Sequence, residues 1–553
     1  MQGSRSLTTA TIAALCVLVA LPIAFIVLQA IFPMLGRGSL AAPFSRFVDT
    51  LADPAVLQLT ANSLLLATCV MLLTAVVGIP LGLLRALTRL PFAPLWDILL
   101  LIPFMMPPYI AALGWILFAQ PRGYLEQLTG ISGGQQLFTF WGVVVVMTLH
   151  ALPVVYFAVS RTIEAVGGRL SEVARVFGAS PRQALLRVTL PLALPSILAS
   201  LLLVFAMTIE EYGTPAALGT QSGFRVLVTG IEQRVSDWPV DLAAAAILSL
   251  VLTCLAIGAY ALQAYLASGR SYVTQAGKPQ PLEKRALGPA AVPVLAFFTV
   301  VVALAIGVPL FAITATAMSR TLSGGLAADN LSLQNFAFIL DNQGNALQAL
   351  SNSMLLAVAT ALITGLVGAL ASYLVLRTKV PGRRLLDGLT ALPNAIPGIV
   401  VAVGLILAWS QPFWPISPYN TPAILLLAYC CILLPLPVRY AGAAFAQVGE
   451  NLEAAARVSG ATITTTLRRI LLPLILPSLI AAMLLVFSVA ARELVASVIV
   501  APVGMPTIST FIWRQFEQGS IGIGMAMSLV ALLITCTIPV AVTQFMNRKG
   551  PRV

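Results

Sequence analysis

Charged residues are scarce in this sequence. Asp, Glu, Lys and Arg make up only 9% of the 553 residues, whereas an average soluble domain has about a quarter. Apolar residues account for 59%, and the mean hydropathy is +0.97. A soluble fold could not cover its water-facing surface with so few charges, so the composition excludes an ordinary soluble protein. Lipid can face the remaining apolar surface, and the sequence therefore predicts a membrane protein with many spans.

Two common binding motifs, a metal site with several histidines and a phosphate-binding loop, are missing from this sequence. The one histidine, His150, excludes a site with several histidines, so any metal ligands would be carboxylates, Tyr, Met or Cys. All six cysteines lie inside apolar runs, which favours small buried hydrophobic residues over disulfides or ligands. The sequence has no G-x-x-x-x-G-K-[ST] phosphate-binding loop, so ATP chemistry would have to come from another subunit.

Apolar runs long enough to cross a bilayer recur along the whole chain. A helical span needs about 20 apolar residues, and the runs form two groups of six around the polar segment Gly269–Arg285, which predicts a linker. We therefore expect a first domain at 1–268, a linker at 269–287 and a second domain at 288–553. The predicted spans are Ala10–Phe32, Ser63–Leu84, Ile98–Phe118, Trp141–Val159, Leu194–Thr214, Leu242–Leu266, Val292–Ala315, Ser353–Leu376, Leu389–Trp409, Ala423–Ala441, Leu476–Val498 and Ile523–Val542.

The basic residues between the spans predict which side of the membrane each loop faces. Cytoplasmic loops carry an excess of Lys and Arg, and with the N-terminus inside, most of these residues fall in cytoplasmic segments. The sequence therefore predicts a multi-pass protein of the bacterial inner membrane with both termini in the cytoplasm. The same bias accounts for the net charge of +12, so we expect no nucleic-acid partner.

The two halves of the chain repeat each other. A shift of 290 residues carries Asn62 onto Asn352, and a shift of 282 carries Gly178 onto Gly460. The first half therefore has eight extra residues, which we place in the outer loop around 123–136. Each half has an even number of spans, so both insert the same way up. The predicted fold is an all-α polytopic membrane protein with two tandem six-helix domains, related by a pseudo-twofold axis along the membrane normal.

One motif occurs in the corresponding predicted cytoplasmic loop of each half. The first copy reads EVARVFG at 172–178 and VTLP at 188–191, and the second reads EAAARVSG at 453–460 and ILLP at 470–473. In both copies nine residues separate the glycine from the last run. Gly178 and Gly460 can adopt a left-handed conformation that turns the chain between two helices. A basic loop beside anionic lipid is the alternative, but it does not require the same spacing twice.

Both copies resemble the EAA loop of ABC importer permeases, in which E-A-A, three residues, G, nine residues and I-x-L-P follow one another. The resemblance covers nearly the whole chain and identifies two type I importer permease domains fused in one polypeptide. Two positions depart from the pattern. Val173 replaces an alanine, and Ala454 takes the place of the glutamate, with Glu453 one residue earlier.

The resemblance implies a set of partners and a mechanism. Two ATP-binding subunits, which hold ATP and Mg²⁺, would dock on the EAA loops, and a periplasmic or lipid-anchored binding protein would deliver the substrate. This chain would bind no cofactor, catalyse no reaction and form the translocation pathway. The residues implied in coupling to the ATPases are Glu172, Ala174, Gly178, Leu190, Pro191, Glu453, Ala455, Gly460, Leu472 and Pro473.

Acidic residues near the outer end of the fifth span of each half suggest the cargo. EEYGTP at 210–215 and RELVAS at 492–497 resemble segments of the ferric-iron importer permeases. Glu210 lies about 24 Å along its span, where a carboxylate is costly unless it faces a cavity. The predicted path residues are Glu210, Glu211, Tyr212, Glu493 and Asn394, with Glu211 and Glu493 as transient metal contacts.

Other cargoes and other classes of transporter stay open at this point. Oxygen donors suit Fe³⁺ but equally suit a cationic polyamine or thiamine, and relatives that carry 2-aminoethylphosphonate share the plan. The acidic residues could also be solvated side chains at outer helix ends. Internal repeats occur in ion-gradient-driven secondary transporters as well, although paired EAA loops argue against that class. No paired His–carboxylate or Cys–His arrangement supports an enzyme.

Prolines cluster in the third predicted span of each half. Pro103 and Pro107 lie in the first, and Pro393 and Pro397 lie in the second. We expect these spans to be kinked or unwound. The exposed carbonyl groups could line a pathway, or the prolines could simply bend the helix.

Overall fold

The computed structural model describes residues 2–268, 284–341 and 343–549. The regular secondary structure within these ranges is helical, and two isolated β-bridges occur in the connecting segments. Most of the predicted linker lies outside the described residues. Nine of the described helices are long and apolar enough to cross a membrane, and three bent pairs could raise that number to twelve. The nine are Leu7–Ile31, Pro54–Leu87, Phe140–Val166, Pro181–Glu210, Leu242–Ala267, Gly288–Ala317, Gln343–Arg377, Leu467–Ala490 and Ile521–Gln544.

Prolines break the third predicted span of each half, as expected. Ala93–Met105 and Pro108–Thr129 meet at 97°, and Arg383–Ala395 and Gly398–Trp409 meet at 116°. The residue before Pro107 or Pro397 has extended backbone, because the proline ring disfavours a helical conformation there. The predicted spans Ile98–Phe118 and Leu389–Trp409 are therefore not continuous helices.

A third break was not predicted. The helices Pro422–Leu433 and Pro435–Gln447 meet at 44°, within the segment predicted as the single span Ala423–Ala441. Pro435 lacks the N–H group that would continue the helical hydrogen bonds, and its ring crowds the preceding turn.

The described chain forms two compact units, each with residues from both halves of the sequence. Unit 1 comprises Met1–Asp53, Ile231–Thr253 and Ser332–Val553, and unit 2 comprises Pro54–Gly230 and Cys254–Leu331. The first membrane helix of each half is therefore grouped with most of the other half. The predicted boundary at 269–287 concerns the repeat along the chain and stays a prediction.

The helices of unit 2 include the first EAA loop and the first bent pair. Leu227–Ser236 and Leu242–Ser268 are each divided between the units. The α-helices wholly in unit 2 are Pro54–Leu87, Ala93–Met105, Pro108–Ala119, Tyr124–Thr129, Gly134–Leu137, Phe140–Val176, Pro181–Ala184, Leu190–Glu210, Ala291–Val302 and Val308–Ala317. The short helices Tyr124–Thr129 and Gly134–Leu137 occupy the loop where the first half was expected to hold eight extra residues.

The helices of unit 1 include the second EAA loop and the other two bent pairs. The α-helices of this unit are Gln2–Leu15, Leu21–Ile31, Phe47–Ala52, Gln334–Leu340, Ala346–Arg377, Arg383–Ala391, Gly398–Trp409, Pro422–Leu433, Pro435–Gln447, Glu450–Val458, Ile463–Thr466, Leu472–Ala490, Val495–Val500, Ile508–Glu517 and Ile521–Lys549.

In each unit, the first membrane helix of one half packs against the bent pair of the other half. In unit 2, a Cβ atom added to Gly114 would lie 2.7 Å from Pro309 Cα. In unit 1, a Cβ atom added to Gly404 would lie 2.6 Å from the Pro22 carbonyl oxygen. Gly114 and Gly404 are equivalent in the 290-residue repeat, and only glycine lets the two backbones come so close.

Hydroxyl groups at the start of two long helices satisfy backbone groups elsewhere in the same unit. Ser63 Oγ accepts the N–H of Leu227 at 2.8 Å, and Ser353 Oγ accepts the N–H of Ile508 at 2.8 Å. Leu227 and Ile508 each begin a helix, whose first N–H groups have no partner within the helix. The preceding asparagines add a second bond, from Asn62 Nδ2 to Arg225 O at 2.8 Å and from Asn352 Nδ2 to Pro506 O at 2.9 Å. The same pair of bonds therefore occurs in both repeats.

Alanine substitution at the two close contacts tests this packing. We expect Gly114→Ala and Gly404→Ala each to cost about 1–3 kcal/mol of stability, because the new Cβ atom overlaps backbone atoms. The control is Gly258→Ala, inside the helix Leu242–Ser268, where a Cβ atom would meet nothing within 4 Å and alanine favours the helix by about 1 kcal/mol. The measurement is thermal unfolding of the purified chain in one detergent. A Gly114→Ala midpoint at or above that of Gly258→Ala would contradict the contact.

Candidate functional site

The first EAA loop, residues 172–191, is a helix followed by a tight turn and a short second helix. The helix Phe140–Val176 ends before Gly178, whose φ is +86°, and the N–H of Ala179 donates to the carbonyl of Ala174 at 3.0 Å. This closure satisfies a carbonyl at the helix end and requires a left-handed residue, which glycine provides without strain. Ser180 Oγ then accepts the N–H of Gln183 and caps the next helix.

The second EAA loop, residues 453–473, has the same form. The helix Glu450–Val458 ends before Gly460, whose φ is +78°, and the N–H of Ala461 donates to the carbonyl of Ala456 at 3.0 Å. The predicted left-handed glycines are thus confirmed in both loops. Each loop then passes through a five-residue π-helical turn, Leu185–Thr189 or Leu467–Leu471, into the membrane helix Leu190–Glu210 or Leu472–Ala490.

Apolar side chains are exposed at the turn of each loop. Val176 and Phe177 are 84% and 86% exposed, and Val458 is 90% exposed. Val458 takes the place of Val176 in the 282-residue repeat, so both turns expose an apolar side chain at the same position. We call Val176, Phe177 and Val458 the apolar turn residues.

The residues implied in ATPase coupling have different environments. Glu172 lies in the helix Phe140–Val176, but its side chain is outside what the structure describes. The exposed members are Gly178, Pro191, Ala455, Gly460 and Pro473, the partly buried ones are Ala174, Leu190 and Leu472, and Glu453 is buried.

Glu453 is engaged within unit 1. Its Oε1 lies 3.6 Å from Arg377 Nη1, and the two side chains are only 9% and 8% exposed. Arg377 also donates through Nη2 to the carbonyls of Phe445 and Val448. One guanidinium group therefore ties the end of the helix Ala346–Arg377 to the second EAA loop. Sequence reasoning missed this role, because the 290-residue repeat places Leu87 opposite Arg377 and gives no signal.

An ion-pair network joins several helix ends in unit 2. Arg85 Nη2 lies 2.7 Å from Asp97 Oδ2, and Arg85 Nη1 lies 3.3 Å from Glu164 Oε1. Lys284 Nζ lies 2.8 Å from the same glutamate oxygen, and the Tyr156 hydroxyl donates to Asp97 Oδ1 at 2.6 Å. The network joins the helices Pro54–Leu87, Ala93–Met105 and Phe140–Val176 to the end of the linker. The repeat pairs Asp97 with Asp387 but does not predict these contacts.

Two of the predicted path glutamates are helix caps. The helix Leu190–Glu210 ends where Glu211 becomes extended, and the Glu211 carboxylate accepts the N–H of Thr214 at 3.0 and 3.2 Å. The Glu493 carboxylate accepts the N–H of Ala496 at 3.0 and 3.2 Å, after the helix Leu472–Ala490. Each carboxylate thus caps the start of the next short helix. For this reason the membrane helices end before Thr214 and Val498, the ends predicted from hydropathy.

Glu210 has an oxygen that these caps do not use. Its Oε1 is buried and has no hydrogen-bond partner among the described residues. The 282-residue shift places Arg492 at the equivalent position, so the two halves differ in charge here.

Tyr212 is buried, and Asn394 Nδ2 donates to the Ala391 carbonyl at 3.1 Å. Glu210, Glu211 and Tyr212 belong to unit 2, whereas Asn394 and Glu493 belong to unit 1. Within the described residues, His, Cys, Asp and Glu form no group of three or more that could hold a metal ion.

Two segments of the chain match one protein family. Residues 75–272 and 362–550 both match the "Binding-protein-dependent transport system inner membrane component" family. The chain belongs to this family. It is therefore the permease of a binding-protein-dependent ABC importer, a non-catalytic membrane subunit with two tandem permease domains.

Relatives of known name agree with this assignment and differ in cargo. The ferric transport system permease protein FbpB of Actinobacillus pleuropneumoniae is 26% identical over 550 residues, 97% of this chain and 78% of its own length. The Fe(3+)-transport system permease protein FbpB 2 of Haemophilus influenzae is 24% identical over 495 residues, 89% of this chain and 90% of its own. A Salmonella typhimurium permease named for 2-aminoethylphosphonate transport is 27% identical over 244 residues, 44% of this chain and 90% of its own.

Comparing alanine with glutamine at Glu211 and Glu493 tests the two caps, because glutamine keeps an oxygen that can accept the backbone N–H group. We expect Glu211→Ala and Glu493→Ala each to lose about 1–2 kcal/mol of stability, because an N–H group at a helix start loses its acceptor. Glu211→Gln and Glu493→Gln should lose less, since the amide oxygen still accepts. The control is Glu517→Ala, which removes only an exposed contact to Trp513. Thermal unfolding in detergent measures the effect. Alanine variants as stable as the Glu517→Ala control would contradict the caps.

Proposed function

We propose that this permease imports ferric iron and is driven by two ATP-binding subunits that dock on its two EAA loops. A separate binding protein delivers the iron from outside, and both termini face the cytoplasm with the loops. The observation that supports ATPase docking is the repeated glycine turn, because this turn exposes an apolar side chain at the same position in both halves. The relative that covers 97% of this chain and is named for ferric transport supports the cargo.

The loops are built so that a docked subunit can move membrane helices. In the first loop the exposed turn continues directly from the long helix Phe140–Val176 and leads into Leu190–Glu210. In the second loop, Arg377 adds a link to the helix Ala346–Arg377 through Glu453 and two carbonyl groups. A displacement of either turn is therefore passed to two membrane helices. This is how ATP-driven closure of the partner subunits would change access to the pathway.

Glu210 is the acidic residue best placed to meet the cargo. The carboxylates of Glu211 and Glu493 already accept backbone N–H groups, so these residues shape the backbone and contact iron less. Glu210 keeps a buried oxygen without a partner among the described residues, and a carboxylate oxygen is a donor that suits Fe³⁺. Tyr212 and Asn394 complete the proposed set of oxygen donors along the path. Contact would be transient, because a pathway must release what it carries.

Charge placed on the apolar turn residues tests ATPase docking. We expect Phe177→Glu with Val458→Glu to reduce recovery of the ATPase subunits with the tagged chain by about tenfold or more, since burying two unpaired charges costs several kcal/mol. The control is Val503→Glu, because Val503 is 94% exposed and the whole membrane helix Leu472–Ala490 separates it from the second loop. The measurement is co-purification from membranes of the native host. Equal recovery from the double variant and the control would exclude these turns as docking sites.

Uptake of labelled ferric iron tests the cargo and the role of Glu210. In iron-starved cells that lack the native chain, we expect the wild-type chain to restore uptake. Glu210→Gln should lower the initial rate by about fivefold at equal membrane abundance, because the oxygen donor loses its charge. The matched control is Glu211→Gln, which preserves a cap acceptor and should keep most of the rate. A Glu210→Gln rate equal to that of the wild type would remove Glu210 from the path.

The same cells distinguish the second candidate cargo. Relatives named for 2-aminoethylphosphonate transport match about half of the chain. If labelled 2-aminoethylphosphonate uptake depends on the chain and ferric-iron uptake does not, the proposed cargo is wrong and the phosphonate takes its place.

A further inference from the structure

Two cavities lie side by side at the second EAA loop, within unit 1. One has a volume of about 410 Å³ and is lined by Arg377, Lys379, Arg383 and Glu453. The other has a volume of about 620 Å³, and Arg384 and Asp387 line it together with the same Lys379 and Arg383. Because Lys379 and Arg383 border both cavities, the two form one basic surface, which we call the basic corner.

The cations of the basic corner exceed its carboxylates. Four cationic side chains face two acidic ones, and one of these acids, Glu453, is already paired with Arg377. The side chains of Lys379, Arg383 and Arg384 are exposed, and no ion pair or hydrogen bond joins them to any described residue. The corner therefore has a surplus of positive charge that the described chain leaves uncompensated.

The innermost cation of the corner is incompletely hydrogen-bonded. Arg377 is only 8% exposed, and its Nη1 has no hydrogen-bond partner among the described residues, since Glu453 Oε1 lies 3.6 Å away. A buried guanidinium N–H without an acceptor is costly. An oxygen-rich anion in the smaller cavity would supply acceptors to this buried guanidinium and to the exposed cations at once.

The corresponding region of the first half engages its cations within the chain. The position equivalent to Lys379 is Arg89, and the position equivalent to Asp387 is Asp97. In unit 2 Asp97 is paired with Arg85, and Glu164 is paired with both Arg85 and Lys284. The end of the linker also covers this region, because Arg285 N donates to the Leu87 carbonyl at 2.9 Å. Arg89, the equivalent of Lys379, donates its Nε to the Lys284 carbonyl, whereas no described residue bonds the side chains of Lys379, Arg383 and Arg384.

We propose that the basic corner binds a phosphate-bearing anion next to the second EAA loop. Phosphate presents several acceptor oxygens to Lys and Arg, and Arg can bind two of them at once. The helix Arg383–Ala391 starts at the same cavity without a side-chain cap, so its positive end adds to the potential. The phosphate comes either from the headgroup of an anionic lipid or from a free phosphate anion. Occupancy would hold the helix Arg383–Ala391 against the EAA helix Glu450–Val458, independently of which cargo the permease carries.

The experiment compares the purified full chain with two double variants of equal charge. Lys379→Ala with Arg383→Ala removes the two cations shared by both cavities. Arg89→Ala with Arg182→Ala removes two exposed cations from the first half and serves as the control. Native mass spectrometry in detergent follows binding of phosphatidylglycerol, which is anionic, with phosphatidylcholine, which is zwitterionic and has no net charge, as the comparison. Calorimetry with inorganic phosphate, in lipid-free detergent, follows the free anion.

We expect the Lys379/Arg383 variant to bind phosphatidylglycerol, inorganic phosphate or both about 25-fold more weakly than the wild type, since each of the two cations near a phosphate contributes roughly fivefold. The Arg89/Arg182 control should stay within about twofold. A loss confined to phosphatidylglycerol assigns the site to a lipid headgroup, and a loss with inorganic phosphate assigns it to a free anion. Equal binding by the two variants, or phosphatidylcholine binding as tight as phosphatidylglycerol binding, would overturn the proposal. Unfolding midpoints within a degree of the wild type show that the comparison is made between folded proteins.

Discussion

A backbone N–H or C=O group at membrane depth needs a partner, because lipid offers none. Several helix starts in this permease meet the requirement with side chains. Ser63 and Ser353 accept N–H groups at the start of later helices, and Glu211 and Glu493 do the same for the short helices that follow the fifth spans. At these breaks, side-chain oxygens accept the backbone N–H groups that a continuous helix would bond internally. The chain can therefore bend without leaving these N–H groups unsatisfied.

The two halves share their turns and close backbone contacts but differ in their charged side chains. The turns at Gly178 and Gly460, the π-helical turns and the close contacts at Gly114 and Gly404 occur twice. Glu210 corresponds to Arg492 in the repeat, and the paired network around Arg85 has no described counterpart in the second repeat, where Arg377 binds Glu453. Backbone geometry is thus held in common while side-chain chemistry has diverged. A transporter whose halves share one pathway can in this way keep its mechanics and still treat its cargo asymmetrically.

Much of the architecture could be predicted from local sequence, because hydropathy, proline and glycine act over a few residues. The spans, the proline breaks before Pro108 and Gly398 and the left-handed glycines of the EAA loops are of this kind. The role of Arg377 could not be predicted, since its partner Glu453 is distant in the chain and its repeat equivalent is Leu87. Nothing in the sequence indicates that the carboxylates of Glu211 and Glu493 accept backbone N–H groups of the short helices that follow them. Neither composition nor motif spacing indicates that the first membrane helix of each half packs with helices of the other half.

The packing of the first membrane helix on a helix of the second half fixes the order in which synthesis and packing occur. The helix Leu21–Ile31 packs on Gly398–Trp409 in unit 1, but ribosomes must add the whole stretch from 32 to 397 before its partner exists. At roughly 5–20 residues per second this takes between about 20 and 70 s. During that interval the first helix lies in the bilayer, and the close contact between the Pro22 carbonyl and Gly404 has not yet formed. Membrane insertion and final packing are therefore separate events for this helix.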